Sequence, residues 1–265
     1  MMFDKYLVRW QLTPEGQPIM TPTSRLLPVR AGDVSAILKI AVHEEEKRGN
    51  LLMSWWAGRG AAPVLAQDTD ALLMERAQGN ISLVDMAQGG RDDDASRIMC
   101  AVLDELHAGR EQPLPDLVPL ELWFEPLQAA AHSHGGNFRT SAGAASKLLA
   151  NPRQVGVLHG DMHHRNVLKF GARGWLALDP KGLLGERYFD YANILCNPDH
   201  ELATAPGRLR KQVNVIADAA QLDAARLSMW VVAWAGLSAA FSMQDGQSPE
   251  AALAIAEIAT AEMHG

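Results

Sequence analysis

The sequence predicts an α+β fold in two unequal lobes, a β-rich N-terminal lobe over residues 1–76 and a helical C-terminal lobe over residues 77–265. Three features carry the prediction. Strand-like runs broken by turn residues fill the first part of the chain, helical periodicity dominates the rest, and one compact strand-turn-strand block interrupts the helices at residues 155–179. A sheet-rich lobe beside a helical one leaves a cleft between them, the usual place for a ligand.

Residues 6–41 read as an antiparallel meander, because Thr13-Pro14-Glu15-Gly16, Thr21-Pro22-Thr23-Ser24 and Arg30-Ala31-Gly32-Asp33 punctuate short apolar runs with turn residues. Helical spacing follows over residues 43–58, with Glu44, Glu45 and Glu46 in the first turn, where carboxylates suit the positive end of the helix dipole. Strand-like runs at 63–66 and 71–75 close the first lobe. Helical patterns then cover 82–86, 95–107, 119–134 and 143–150, separated by a Pro-rich stretch at 111–119 and a Gly-rich one at 134–137. After the block at 155–179, helices resume at about residue 188 and run to the end.

With 48% hydrophobic residues, a chain of 265 can bury a sizeable core without covalent staples. Cys100 and Cys196 each lie in apolar, helix-like surroundings; they read as core thiols of a protein in a reducing compartment, hence cytoplasmic. A net charge of -7 speaks against a nucleic-acid partner, whose backbone needs clustered Lys and Arg, and suits a neutral or cationic ligand. Residues 1–10 carry Asp4, Lys5 and Arg9 among their apolar positions, so no signal-peptide region is expected there. The most apolar stretch, 227–243, is rich in Ala, Gly and Ser and ends in Gln244-Asp245-Gly246; it reads as a buried core helix, with no membrane expected as partner.

The densest set of chemically capable residues is His159-Gly160-Asp161-Met162-His163-His164-Arg165-Asn166. Val167-Leu168-Lys169-Phe170, the loop Gly171-Ala172-Arg173-Gly174 and Trp175-Leu176-Ala177-Leu178 follow and lead to Asp179, which makes a hairpin with equal arms. Equal arms return Asp179 to the level of Asn166, so that a carboxylate and a carboxamide oxygen face one space. Hard oxygens of this kind suit Mg²⁺, which keeps several waters and is otherwise held by phosphates. Asp161, on the same irregular loop as Asn166, is close enough to accept a proton from a hydroxyl attacking such a phosphate. Asp and Asn singly are ordinary turn residues; the spacing of the set argues for a site. His159 is expected to fix the loop by hydrogen bonding.

A second signal is Ala36-Ile37-Leu38-Lys39-Ile40, which puts one lysine inside an apolar strand. Burying an ammonium costs several kcal/mol unless an anion pairs it. Phosphate oxygens and a carboxylate from the next helix, Glu46, both qualify; an edge strand would instead let Lys39 snorkel to water.

Taken together, these pieces resemble the aminoglycoside phosphotransferases, and within them the streptomycin 6-phosphotransferases. The spacing of Asp161 to Asn166 is that of a kinase catalytic loop, with Lys39 and Asp179 where the strand lysine and second metal aspartate belong. The resemblance also runs through Trp55-Trp56, Leu72-Leu73-Met74-Glu75-Arg76-Ala77, Gly182-Leu183-Leu184-Gly185-Glu186, Phe189-Asp190-Tyr191-Ala192-Asn193 and the stretch 234–240. It implies a bilobal protein-kinase-like fold and ATP or another nucleoside triphosphate with Mg²⁺. It further implies Asp161 as catalytic base, Asn166 and Asp179 as metal ligands, Lys39 on the triphosphate, and the backbone from Glu75 to Ala77 holding the nucleobase. Thr21-Pro22-Thr23-Ser24 stands where kinases carry a Gly-rich loop, so backbone and hydroxyl donors, Ser24 among them, are expected over the phosphates.

The acceptor expected on this resemblance is a cationic aminoglycoside, streptomycin at its 6-hydroxyl, with antibiotic resistance as the outcome; hydroxyurea or a metabolite alcohol is the alternative. Asp190 and Glu186 are the candidate carboxylates for its guanidinium groups, Asp190 having an N-cap role as its other reading. A zinc hydrolase using His159, Asp161, His163 and His164 is a separate possibility, but His200 and His264 lie in no motif that completes such a site.

Overall fold

The structure, a computed structural model, describes residues 2–264; Met1, Gly265 and the side chain of His264 lie outside the description. The chain opens with helix α1 (Asp4–Arg9), where a strand was expected from residue 6 on. Phe3, Tyr6, Leu7 and Trp10 recur at helical spacing, and that face covers a small apolar cluster on the sheet, with Tyr6 only 4% exposed. Strands β1 (Leu12–Pro14), β2 (Ile19–Met20), β3 (Ser24–Ala31) and β4 (Val34–Ala41) make the meander. Helix α2 (Glu44–Trp56) then leads to β5 (Val64–Gln67) and β6 (Ala71–Glu75). The sheet runs β1-β3-β4-β6-β5, with β2 also paired to β3. β4 is therefore central and not an edge: Lys39 stands between Leu26 and Leu72 in the register.

The second lobe begins with α3 (Leu83–Met86), whose N-cap Ser82 accepts hydrogen bonds from the amides of Val84 and Asp85. It continues through α4 (Asp92–His107), the short β7 (Val118–Pro119), α5 (Leu120–Trp123), α6 (Glu125–His134) and α7 (Gly136–Leu149). α7 starts well before the expected residue 143, because Gly135 and Gly136, at φ +65° and +51°, confine the bend to two residues.

Strand β8 (Val155–Leu158) precedes the hairpin of β9 (Val167–Lys169) and β10 (Trp175–Ala177), and β11 (Leu183–Glu186) follows. β11 pairs antiparallel with β8 and parallel with β7, which brings the loop after β8 and the segment before β11 side by side. Helices α8 (Tyr188–Leu195), α9 (His200–Ala203), α10 (Arg208–Ala220), α11 (Ala224–Gln244) and α12 (Glu250–His264) complete the lobe. Among the described residues α11 is the one helix long and apolar enough to cross a membrane; it packs against α7, α8 and α12, with Trp230, Val231 and Ala235 fully buried.

One continuous core joins the lobes. Leu52, Met53 and Trp56 of α2 and Leu72 of β6 belong to the same buried cluster as Met99 and Leu103 of α4 and Trp230 of α11. Backbone bonds stitch the same junction: the amide of Ala177 donates to Gly60 and that of Ala62 to Ala177, both at 2.9 Å.

Candidate active site

The hairpin register sets the site. Val167 pairs with Ala177, and the Leu178 amide donates to the Asn166 carbonyl at 2.9 Å. Leu178 is thus the residue opposite Asn166, and Asp179 lies one position beyond the expected level. Its backbone takes φ +64°, a left-handed turn at the point where the carboxylate swings toward the first lobe. There it meets Lys39, a residue 5% exposed whose ammonium is held between the carboxylates of Asp179 and Glu46. Glu46 also accepts from the Ser24 hydroxyl at 2.9 Å. Burial raises the pKa of Glu46, but Lys39 and this hydrogen bond outweigh it and hold the carboxyl below its ordinary value. The lysine is therefore a buried cation matched by two anions, one from each lobe.

Ser24 does not stand over a phosphate site with free donors. Its hydroxyl goes to Glu46 and its amide donates to the Thr21 hydroxyl at 2.9 Å, because the turn between β2 and β3 closes on itself. The strap after β6 is anchored on both sides of Ala77: the Arg76 amide donates to Ser35 at 2.9 Å and the Gln78 amide to Lys169 at 3.0 Å. Glu75 faces Arg173 at 3.2 Å.

The loop after β8 is held from beneath. His159 is fully buried, accepts from the Asp161 amide at Nδ1 (3.2 Å) and donates from Nε2 to the Leu178 carbonyl (3.0 Å), the structural role its sequence position suggested. Burial holds its pKa down, so the neutral ring bridges the loop to the hairpin. Asp161 receives hydrogen bonds on both carboxylate oxygens: from Asn193 Nδ2 to Oδ1 at 3.2 Å and from Asn166 Nδ2 to Oδ2 at 3.4 Å. Asn166 Nδ2 also donates to the Asp161 carbonyl at 2.9 Å, so both of its short contacts here use the amide nitrogen and not the oxygen. Burial pushes the Asp161 carboxyl up, yet His163 at 3.7 Å from Oδ1, with Lys181 adding its charge, holds it at about 2. This carboxylate is ionised at any physiological pH.

Asn193 was not singled out from sequence as a site residue. Its orientation is unambiguous, because Asn197 Nδ2 donates both to the Asn193 backbone carbonyl at 3.0 Å and to Asn193 Oδ1 at 2.8 Å, turning the remaining amide donor toward Asp161. Also unforeseen is the pairing of Lys181 with Glu45 at 2.6 Å, which offsets burial and raises the lysine pKa.

The two acids expected to meet substrate are both buried, each on partners of its own. Glu186 is 1% exposed, and its oxygens receive Arg226, the Trp230 indole at 2.9 Å and the Arg153 amide at 2.9 Å. Asp190 is fully buried and neither caps its helix nor faces the cleft. It accepts from the amides of His159 (2.9 Å) and Gly160 (2.8 Å), with His107 Nε2 at 2.9 Å, and so anchors the loop that carries Asp161. A buried carboxylate needs donors on all sides, and residues distant in sequence supply them.

Asp161 and Gly160 line a cavity of 240 Å³ with Lys181, Phe189 and residues of α5 and α11. Its neighbours fit a hard divalent cation and phosphates better than zinc: Asn166 and Asp179 offer two oxygens, whereas among the described residues no group of three or more His, Cys, Asp or Glu is arranged to hold a metal. His164, one of the candidate zinc ligands, is 1% exposed with both ring nitrogens unpartnered.

Known proteins resemble this chain throughout. It is 49% identical over 243 residues, 90% of this chain and 91% of the other, to a streptomycin 3''-kinase of Klebsiella pneumoniae. It is 29% identical over 268 residues, 96% and 85% of the two chains, to a streptomycin 6-kinase of Streptomyces griseus. Among solved structures, a thermostable mutant of aminoglycoside phosphotransferase APH(4)-Ia, in ternary complex with ADP and hygromycin B, shares the fold with a TM-score of 0.68 at 13% identity, over 98% of each chain. Residues 9–246 match the model of the aminoglycoside/hydroxyurea antibiotic resistance kinases, and the chain belongs to that family.

Proposed function

We propose that this phosphotransferase moves the γ-phosphoryl group of ATP to a hydroxyl of streptomycin and so inactivates the antibiotic in the cytoplasm of its host. The observation that carries the reading is Asp161: an ionised carboxylate, oriented by two asparagine amides, in the wall of a cavity large enough for one ring of an acceptor. Asp161 accepts the proton of the attacking hydroxyl. Lys39 contacts the triphosphate, with Glu46 keeping the ammonium in place, and the backbone between Glu75 and Ala77 receives the nucleobase. Asn166 and Asp179 would hold Mg²⁺, which would draw off charge from the phosphates. The two free cysteines fit a reducing compartment.

The sequence expectation put the phosphate on the 6-hydroxyl. The relative of 49% identity is a 3''-kinase and that of 29% a 6-kinase, so the 3''-hydroxyl is the better-supported position. ADP release with ATP and Mg²⁺ is the test, run over streptomycin, hydroxyurea and simple alcohols. Streptomycin should stimulate turnover most, and fragmentation of the product should find the phosphate on the amino-sugar ring. Stimulation by hydroxyurea alone would transfer the reading to that acceptor, and a phosphate on the streptidine ring would restore the 6-position.

A further inference from the structure

The cavity beside Asp161 has a wall that the phosphoryl chemistry does not use. Trp234, Ser238, Phe241, Ser242 and Asp245 recur at i, i+4, i+7, i+8 and i+11, one face of α11. The middle of that helix is packed in apolar core, from Trp230 to Ala233 and at Ala235, Gly236 and Leu237, but Trp234 and Phe241 are only partly buried. Trp123 of α5 lies against Phe241, with ring centroids 5.4 Å apart at 58°, and lines the same cavity.

Asp245 is exposed at the C-cap of α11. The last carbonyls of a helix make that end negative, so a carboxylate there works against the helix dipole. A local rule broken beside an active site points to function. Aromatic faces, a carboxylate and a helix C-terminus all attract positive charge. Lys181, the one lysine or arginine among the cavity-lining residues described, pairs with Glu45 at 2.6 Å and also acts on Asp161, so that at the far end of the cavity Asp245 is the charge without a cation among the lining residues.

We propose that Trp123, Trp234, Phe241 and Asp245 form a subsite for a cationic nitrogen group of the acceptor, an alkylammonium or guanidinium, and that this subsite selects cationic hydroxyl compounds over neutral ones. The inference rests on the reading of the chain as a streptomycin kinase and deepens it. A cavity of 240 Å³ falls below the roughly 300–1,000 Å³ that holds a drug-sized ligand. One ring of the acceptor therefore enters, and its charged nitrogen lies against the aromatic wall.

The test measures steady-state kinetics and calorimetric binding of streptomycin in the full chain, with ATP or a non-hydrolysable analogue, for wild type, Asp245→Asn, Trp234→Leu and Trp234→Phe. Asp245→Asn should raise KM and Kd for streptomycin about tenfold or more, leave KM for ATP unchanged, and leave Tm unchanged or slightly higher, because the unfavourable charge at the helix end is gone. Trp234→Leu should weaken streptomycin similarly, with Trp234→Phe restoring most of the loss. Streptomycin Kd within twofold of wild type in both Asp245→Asn and Trp234→Leu would overturn the subsite while leaving the kinase reading intact. Streptomycin bound but not phosphorylated, with Kd weakened by the variants, would keep the subsite and overturn the acceptor assignment. Streptomycin neither bound nor phosphorylated by the wild type would overturn both.

Discussion

Asp161 is kept ionised against its burial by His163 and Lys181, which hold its carboxyl at about 2; Asn166 and Asn193 contribute aim. Asp161→Ala should therefore lower kcat by roughly two to four orders of magnitude, the usual worth of a positioned base, with KM for ATP nearly unchanged. A variant keeping a third of wild-type turnover when chemistry limits the rate would remove the residue from that role. The acid limb that Asp161 imposes on kcat/KM should lie below pH 4. Asn193→Asp replaces a donor 3.2 Å from Oδ1 with a second carboxylate, which disfavours the ionised base and moves that limb upward by about one pH unit or more; a limb that stays in place would mean that Asn193 does not hold the base. At this scale the sequence exposed Lys39, Asp161, Asn166 and Asp179, because strand alternation and one short loop bring them together locally. It hid Asn193, and it misplaced Glu186 and Asp190. Those three depend on partners from helices far along the chain: Asn193 reaches Asp161 from α8, and Arg226, Trp230 and His107 make a core position habitable for the two acids.

The β9–β10 hairpin was legible because a Gly-bounded four-residue loop separates equal apolar arms, and its register errs from the expectation by a single residue. Helix α1 was equally present in the sequence, at 3, 6, 7 and 10, but the turn-rich stretch that follows drew it into the meander. What no periodicity reveals is how closely α2 rides on the segment that follows the β9–β10 hairpin. Gly49 sits one turn after Glu46, and a Cβ built there would stand 2.2 Å from the Pro180 carbonyl oxygen, a backbone atom that cannot move without Asp179. Gly49→Ala should gain helix propensity and still lose stability by about 1–3 kcal/mol from overpacking. More tellingly, pushing α2 away from Pro180 pulls Glu46 and Asp179 apart around Lys39, so KM for ATP should rise and kcat fall together. Gly49→Ala with wild-type kinetics would show that the contact is slack. Gly32, with φ +57° and nothing within 4 Å of a built Cβ, serves as a control: Gly32→Ala strains a turn far from these contacts and should change stability alone.

Across the whole molecule the lobe boundary near residue 76 marks a change of secondary structure and not a break in packing. Trp56, from the first lobe, is fully buried, donates from its indole to the Leu106 carbonyl at 3.2 Å and stacks on His159 at 6.1 Å between ring centroids. A core shared in this way should unfold in one calorimetric transition, and two resolved transitions would show that the lobes are independent. Cys100 of α4 lies within this core, 4% exposed, and burial pushes its thiol up to about 12 from an ordinary value of 9.0. Between those two values the unfolded chain loses the thiol proton while the folded chain keeps it. The folded state then binds more protons, so stability falls as pH rises through that window, by about 1.4 kcal/mol per pH unit for this one group. Below pH 9 the contribution is complete and flat. Cys100→Ala removes the titration at the expense of a small cavity, about 1 kcal/mol or somewhat more at neutral pH. Urea unfolding of both proteins from pH 8 to 11 should show the variant starting less stable, the wild type losing roughly 2–3 kcal/mol relative to it over the last two units, and the curves crossing so that the variant is the more stable at pH 11; two curves that stay parallel would mean that the core around Cys100 admits water and the thiolate without opening.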